Sequence, residues 1–274
     1  MTAVRRAGVL GKPIAHSLSP VIHHAGYAAA GLTGWSYTRI ECAAAELPDV
    51  VAGLGPEWAG LSVTMPGKEA ALAVAAEVSP VAAAVGAANT LVRRPDGSWY
   101  ADNTDVAGMV EVLTGAGVRP GATVSVLGAG GTARAAVAAA GRLDAREVTV
   151  LARRPAAVEQ LRPVARAAGV PVRASAWDDA GAHLAADVVI STVPKGVADP
   201  LAATAPWRAG TVCFDALYDP WPTPLAASAR AAGCRIVSGL DLLLAQAVGQ
   251  FEHFTGVVAP RAAMAAALAA ACAR

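Results

Sequence analysis

The stretch Val126-Leu127-Gly128-Ala129-Gly130-Gly131-Thr132-Ala133 lies between a β-rich run, residues 122–127 (ATVSVL), and an alanine-rich helical stretch, residues 132–141. Gly128 permits a tight turn, Gly130 lets a pyrophosphate approach the backbone, and Gly131 and Ala133 leave room for helix–strand contact. The helix N-terminus then faces the phosphate charge. A glycine cluster alone is weak evidence, but a strand before it and a helix after it favour a dinucleotide site over a bare βα turn. Further strands are expected at residues 147–151 (EVTVL), 172–174, 187–191 (DVVIS), 211–215 (TVCFD) and 235–238, with helices at 156–168 and 224–232 between them. Such alternation implies βαβ crossovers: an α/β fold with a doubly wound parallel sheet and helices on both faces.

The next strand bears on the cofactor. An NAD site wants a carboxylate about 20 residues past the glycines, to hold the ribose hydroxyls. Here the strand ends Leu151-Ala152-Arg153-Arg154-Pro155, with two guanidiniums and no carboxylate. Their charge and forked donors suit a 2′-phosphate, so NADP is favoured over NAD.

The N-terminal half alternates less regularly. A strand at 7–10 leads into the loop GKPIAHSLSP, and a helix is expected from Pro20, with Ser19 as its N-cap and Gly31 closing it. Strands at 35–40 and 61–64 flank a helix at 44–54, and another helix is expected at 68–76. Residues 89–93 and 99–102 flank the turn RPDGS as a β-hairpin. A helix at 103–117 runs into the linker GVRPGA (117–122), by composition the best domain boundary. Two further helices, 241–254 and 261–273, are extra to the doubly wound unit.

A chain of 274 residues, 55% hydrophobic and 16% charged, with mean hydropathy +0.44, fills two cores and stands far from the composition of disordered chains. No apolar run approaches the roughly 18 residues of a spanning helix, and the N-terminus is too broken by Gly and Pro for a signal peptide. Net charge of +1 makes no case for nucleic acid or membrane as partner. Cys42, Cys213, Cys234 and Cys272 are widely spaced, so no metal cluster is expected and a reducing cytoplasm is the simplest setting.

A dinucleotide fold does not name a reaction. The Tyr-x-x-x-Lys pattern of short-chain reductases is absent, since Gly31, Glu41, Thr104 and Pro222 stand four positions after the four tyrosines. Lys68, in LSVTMPGKE just past a strand end, is the strongest candidate for proton transfer, being one of only three lysines and set at a helix start that disfavours a cation. Asp105, in Asp102-Asn103-Thr104-Asp105, is its natural partner, although any polar residue there could cap the helix. Asn89, in GAANT, places an amide before a strand, and His16, Ser17 and Ser19 line the first loop. A cap role accounts for Ser19 but not for Ser17.

Together these motifs resemble the shikimate dehydrogenase family over nearly the whole chain. The family's GxPIxHSxSPxxH stands at residues 11–23, its NVTxPxKE at 62–69, its GAxNT at 86–90 and its NTD at 103–105. Its GAGGxxxA is residues 128–135, its DxxYxPxxTPL residues 215–225, and its GLxxLxxQAxxxFxxxTG residues 239–256. The resemblance implies an NADP-dependent enzyme that reversibly reduces 3-dehydroshikimate to shikimate, on the route to chorismate and aromatic amino acids. It implies a substrate domain of residues 1–105, completed by 239–274, a Rossmann-type NADP domain of 106–238, and a reaction in the cleft between them. Lys68 and Asp105 would be the catalytic pair. Ser17, Ser19, Thr64, Asn89, Tyr218 and Gln246 would join them in holding the substrate's carboxylate and hydroxyls. The cofactor would take Gly128, Ala129, Gly130, Gly131, Thr132, Ala133, Arg153 and Arg154, with Gly239 at its nicotinamide end. No metal is implied, and the working form would be a monomer or homodimer.

The chain departs from the family pattern at several places. Ser62 replaces the usual asparagine and Gly67 the usual phenylalanine, so the wall beside Lys68 is altered. Val106 follows NTD where glycine is common, Ala152-Arg153-Arg154 replaces Asn-Arg-Thr, and Asp241 stands where glycine is frequent. These changes leave room for a paralogue acting on quinate or an aminoshikimate. A redox-silent dinucleotide-binding regulator is the alternative of another class, and keeping both Lys68 and Asp105 argues against it.

Overall fold

Short apolar runs buried on both faces build two six-stranded sheets. The computed structural model describes residues 4–273. Contacts divide the chain into unit 1, Met1–Thr104 with Leu243–Arg274, and unit 2, Asp105–Leu242.

Unit 1 begins with β1 (Arg5–Gly11), α1 (Ser19–Ala29), β2 (Trp35–Glu41), α2 (Leu47–Ala52) and β3 (Trp58–Val63). It continues with α3 (Ala70–Ala73), β4 (Glu77–Val78), α4 (Pro80–Val85), β5 (Thr90–Arg93) and β6 (Trp99–Asp102). The strand order is β2-β1-β3-β5-β6-β4. β1 runs parallel to β2 and β3, whereas β5 runs antiparallel to β3 and β6, so this sheet is mixed. Leu10, Leu47, Leu61, Leu91 and Trp99 are among the residues of one core under it.

Several elements differ from expectation. Ser19 is not the N-cap of α1. Leu18 holds that position, Ser19 is the first helical residue and is buried, and the Ser17 hydroxyl accepts from the Ser19 N–H at 3.3 Å. The helices expected at 44–54 and 68–76 contract to α2 and α3. Strand β4 and helix α4 had no periodic signal because they are two and six residues long. Ser79 caps α4 by accepting from the Ala82 N–H, and Gly86 ends it in the left-handed region at φ 67°.

Unit 2 is entered through α5 (Thr104–Gly115). It holds β7 (Thr123–Leu127), α6 (Gly131–Arg142), β8 (Glu147–Ala152), α7 (Pro155–Glu159), α8 (Arg162–Ala168) and β9 (Val172–Ala176). Then come α9 (Ala180–His183), β10 (Val188–Ser191), β11 (Val212–Asp215), α10 (Pro224–Ala231) and β12 (Arg235–Ser238). The order β12-β11-β10-β7-β8-β9, all parallel, is that of a doubly wound dinucleotide-binding sheet. The single helix expected at 156–168 is two, because Pro163 has no N–H and its ring would clash with the Glu159 carbonyl. The division between units falls before Asp105, not in residues 117–122. That linker belongs to unit 2, where the Gly121 N–H donates to the Asp144 carbonyl at 2.7 Å, so its glycine and proline mark the turn into β7. Finally, α11 (Gly239–Thr255) and α12 (Arg261–Cys272) close the chain. No helix among the described residues is long and apolar enough to cross a membrane.

Candidate active site

Strand direction gathers the polar residues of unit 1. β1 and β3 are parallel and end at Gly11 and Val63, while antiparallel β5 begins at the same edge and β6 ends there, with Thr90 paired to both Ser62 and Asp102. The loop after β1 carries Ser17, the loop after β3 carries Thr64 and Lys68, and Asn89 immediately precedes β5. Backbone bonds lock these loops together. The Thr64 N–H donates to the Leu10 carbonyl at 2.8 Å, the Val63 N–H to the Asn89 carbonyl at 2.7 Å, and the Ala88 N–H to the Lys68 carbonyl at 2.8 Å. A Cβ on Gly11 would run into the Thr64 side chain, which is why glycine ends β1. Lys68 itself is half-buried.

Asn89 is the hub of this edge and is buried. Its Oδ1 accepts from the Thr104 N–H at 2.8 Å and from the Thr90 hydroxyl at 2.7 Å. Its Nδ2 donates to Thr104 Oγ1 at 3.0 Å and lies 3.5 Å from Gln246 Oε1 on α11. Thr104 starts α5 and Asp105 follows it, a buried carboxylate in the first turn, where the helix N-terminus favours negative charge. On the same face, His253 of α11 pairs with Asp102 at 3.0 Å. Burial opposes ionisation of Asp102, but hydrogen bonds from His253, Ser79 and the Asn103 N–H together hold it below the usual carboxylate range.

In unit 2 the expected cofactor residues follow the C-terminal ends of the strands. Gly128 has φ 105°, and a Cβ there would meet Thr192 Oγ1 at 2.6 Å, so the turn demands glycine. Gly130 is the N-cap of α6, and a Cβ on it would meet nothing within 4 Å. That open approach, ahead of the first-turn N–H groups of α6, fits a pyrophosphate. Ala129, Gly131 and Thr132 are half-buried, and Ala133 is fully buried, as close helix–strand packing requires. Arg153 and Arg154 are exposed beyond β8, free to reach an anion. A Cβ on Gly239 would run into the Ala216 carbonyl, so the start of α11 passes tightly against the chain after β11. In that segment buried Asp215 accepts from the Thr223 hydroxyl at 2.7 Å and the Leu217 N–H at 3.2 Å, fixing the turn that carries half-buried Tyr218. Burial pushes the Asp215 carboxyl above its ordinary range despite these bonds.

Ser17, Ser19, Thr64, Lys68, Asn89 and Gln246 therefore belong to unit 1, whereas Asp105, Tyr218, Gly239 and the glycine turn belong to unit 2. Sequence reasoning missed Arg39, whose guanidinium donates to the Ser17 carbonyl at 2.9 and 2.5 Å and pins the first loop. It also missed Tyr37 and Gln250, which lie behind Asn89. Gln250 was within reach, since it follows Gln246 by one helical turn and so shares its face.

The family profile described as the shikimate dehydrogenase substrate binding domain matches residues 9–91, and that of the shikimate 5'-dehydrogenase C-terminal domain matches residues 239–269. A protein of Methylobacterium radiotolerans named shikimate dehydrogenase (NADP(+)) is 42% identical over 93% of this chain and 92% of its own. The crystal structure of Mycobacterium tuberculosis shikimate dehydrogenase superposes with a TM-score of 0.89 at 52% identity, covering 97% of this chain and 99% of that one. A Thermus thermophilus shikimate 5-dehydrogenase solved with NADP(H) and shikimate gives 0.83 at 32% identity, over 98% and 100% of the two chains. The chain belongs to the shikimate dehydrogenase family.

Proposed function

We propose that the protein is an NADP-dependent oxidoreductase that interconverts shikimate and 3-dehydroshikimate. The observation that carries this reading is the set of buried polar groups around Asn89, fixed at one edge of unit 1 beside the Lys68 loop, on a chain that also holds a doubly wound dinucleotide-binding sheet.

Unit 1 takes the ring acid and unit 2 the cofactor. The glycine turn and the N-terminus of α6 would hold the pyrophosphate, Arg153 and Arg154 the 2′-phosphate, and Gly239 the nicotinamide end. NADP, when bound, supplies the hydride exchange. The protein's own work is proton transfer and placement. Lys68 takes the proton from the substrate alcohol in oxidation and returns it to the ketone oxygen in reduction. Asp105 holds the charge and position of that ammonium. Ser17, Ser19, Thr64, Asn89, Tyr218 and Gln246 hold the carboxylate and the remaining hydroxyls. A site built to bond a hydroxyl rejects analogues that lack it, because its own polar groups are then left unpaired. All these residues come from one chain, so the reading applies to a monomer or a homodimer. It is placed in the cytoplasm, a setting that four unpaired cysteines suit.

The test is turnover of the unmodified protein with shikimate and quinate, each with NADP and with NAD. The reading expects the highest kcat/KM for shikimate with NADP. Absence of turnover with shikimate, or preference for quinate, contradicts it.

A further inference from the structure

Tyr37, Ser62 and Thr90 share one face of the unit 1 sheet, since Ala7 pairs with Tyr37, Val9 with Ser62, and Ser62 with Thr90. Small Ala7 lets the Tyr37 phenol cross β1. The Tyr37 hydroxyl meets Ser62 Oγ at 2.5 Å, and Ser62 Oγ meets Gln250 Oε1 at 2.6 Å. Gln250 Nε2 donates to the Asn89 carbonyl at 2.9 Å and to Thr90 Oγ1 at 3.1 Å. The Thr90 hydroxyl donates to Asn89 Oδ1. Every member is buried, none more than 4% exposed.

Two backbone groups set the direction of every proton in this chain. The Asn89 carbonyl can only accept, so Gln250 must turn Nε2 towards it and Oε1 towards Ser62. Ser62 must then donate to Gln250, and Tyr37 must donate to Ser62. At the other end the Thr104 N–H can only donate, so Asn89 must turn Oδ1 towards it and keep Nδ2 on the side of Thr104 Oγ1 and Gln246. Thr90, which accepts from Gln250 and donates to Asn89 Oδ1, links these two orders.

We propose that Tyr37 is a positioning residue of the substrate site. Through Ser62 and Gln250 it braces the strand edge that carries Asn89: its O–H fills the acceptor side of Ser62, the Ser62 proton goes to Gln250 Oε1, and Gln250 Nε2 donates to the Asn89 carbonyl and Thr90. The proposal rests on the reading of Asn89 as a substrate ligand. Without the Tyr37 proton, the buried Ser62 Oγ loses its donor, and the Gln250 amide that braces the Asn89 carbonyl and Thr90 is held less firmly. Asn89 then meets the substrate from a less firmly braced backbone, which weakens binding.

The experiment is Tyr37→Phe, which keeps the ring stacked on His23 at 4.1 Å and removes one hydroxyl. The expected result is a rise in KM for shikimate of roughly five- to twenty-fold, with kcat within about twofold and KM for NADP unchanged. In an Asn89→Ala background the same change should raise KM by no more than about twofold, because the two act through one chain. If Tyr37→Phe does not fold, Ser62→Ala and Gln250→Leu break the same chain and carry the same expectation. An unchanged KM, a parallel fall in kcat, or a fully multiplicative effect with Asn89→Ala overturns the proposal. Turnover of shikimate by the unmodified protein is measured alongside. Its absence would count against the functional reading, whereas turnover with an indifferent Tyr37→Phe would count against Tyr37 alone.

Discussion

Histidine 23 shows how one buried residue carries a pH dependence. It is fully buried, stacked on Tyr37 and surrounded by Tyr27, Phe251 and Phe254. Burial, with a smaller push from His24, lowers its pKa from 6.5 to about 3. Between those values the unfolded chain binds a proton that the folded chain refuses. Stability is therefore full above pH 6.5 and falls as the pH drops, by about 1.4 kcal/mol per pH unit from this group. Denaturant unfolding from neutral pH to about pH 5 should show that slope, and His23→Phe should flatten it; an equal slope in both proteins would assign the acid sensitivity elsewhere. The motif placed His23 one turn after Ser19, but its burial was not legible, since a histidine on a helix gives no sign of which neighbours will cover it. The same holds for Ser19. Its position before Pro20 suited a cap, yet the helix begins one residue earlier and Ser19 lies buried inside its first turn.

Among the elements, α11 and the end of β8 carry the sharpest expectations. Gln246, Gln250, His253 and Phe254 recur at helical spacing, and in unit 1 they meet Asn89, Ser62, Asp102 and Gly60. Phe254 occupies the space a Cβ on Gly60 would need. Gly60→Ala should therefore destabilise unit 1 by about 1–3 kcal/mol through overpacking, read as a lowered midpoint in urea; an unchanged midpoint would show that the ring yields without cost. At β8, replacing both Arg153 and Arg154 by alanine should raise KM for NADP far more than KM for NAD. Equal effects on the two cofactors would remove the arginines from 2′-phosphate recognition. The parallel strands of unit 2 were legible because each is a short apolar run followed by a helix. The split of α7 from α8 was signalled by Pro163, and the short α4 and β4 by nothing stronger than Ser79 and Gly86.

For the whole molecule, the account is a division of labour: proton transfer and substrate placement centre on unit 1, and cofactor binding belongs to unit 2. The candidate site was readable because its residues sit in compact motifs, at strand ends where α/β sites gather. What supports those motifs from behind was not readable. Tyr37, Ser62 and Gln250 lie up to 213 positions apart in the chain and meet only through strand register and helix packing. The mixed direction of the first sheet was likewise hidden, because periodicity reports a strand and not its neighbour. The most direct test of the division is Lys68→Ala, with kcat for shikimate oxidation and Kd for NADP measured on the same sample. The account predicts a fall in kcat of about 10²–10⁴ with Kd for NADP unchanged. A kcat near that of the unmodified protein would contradict it, leaving Lys68 a surface lysine and the proton to travel by another group.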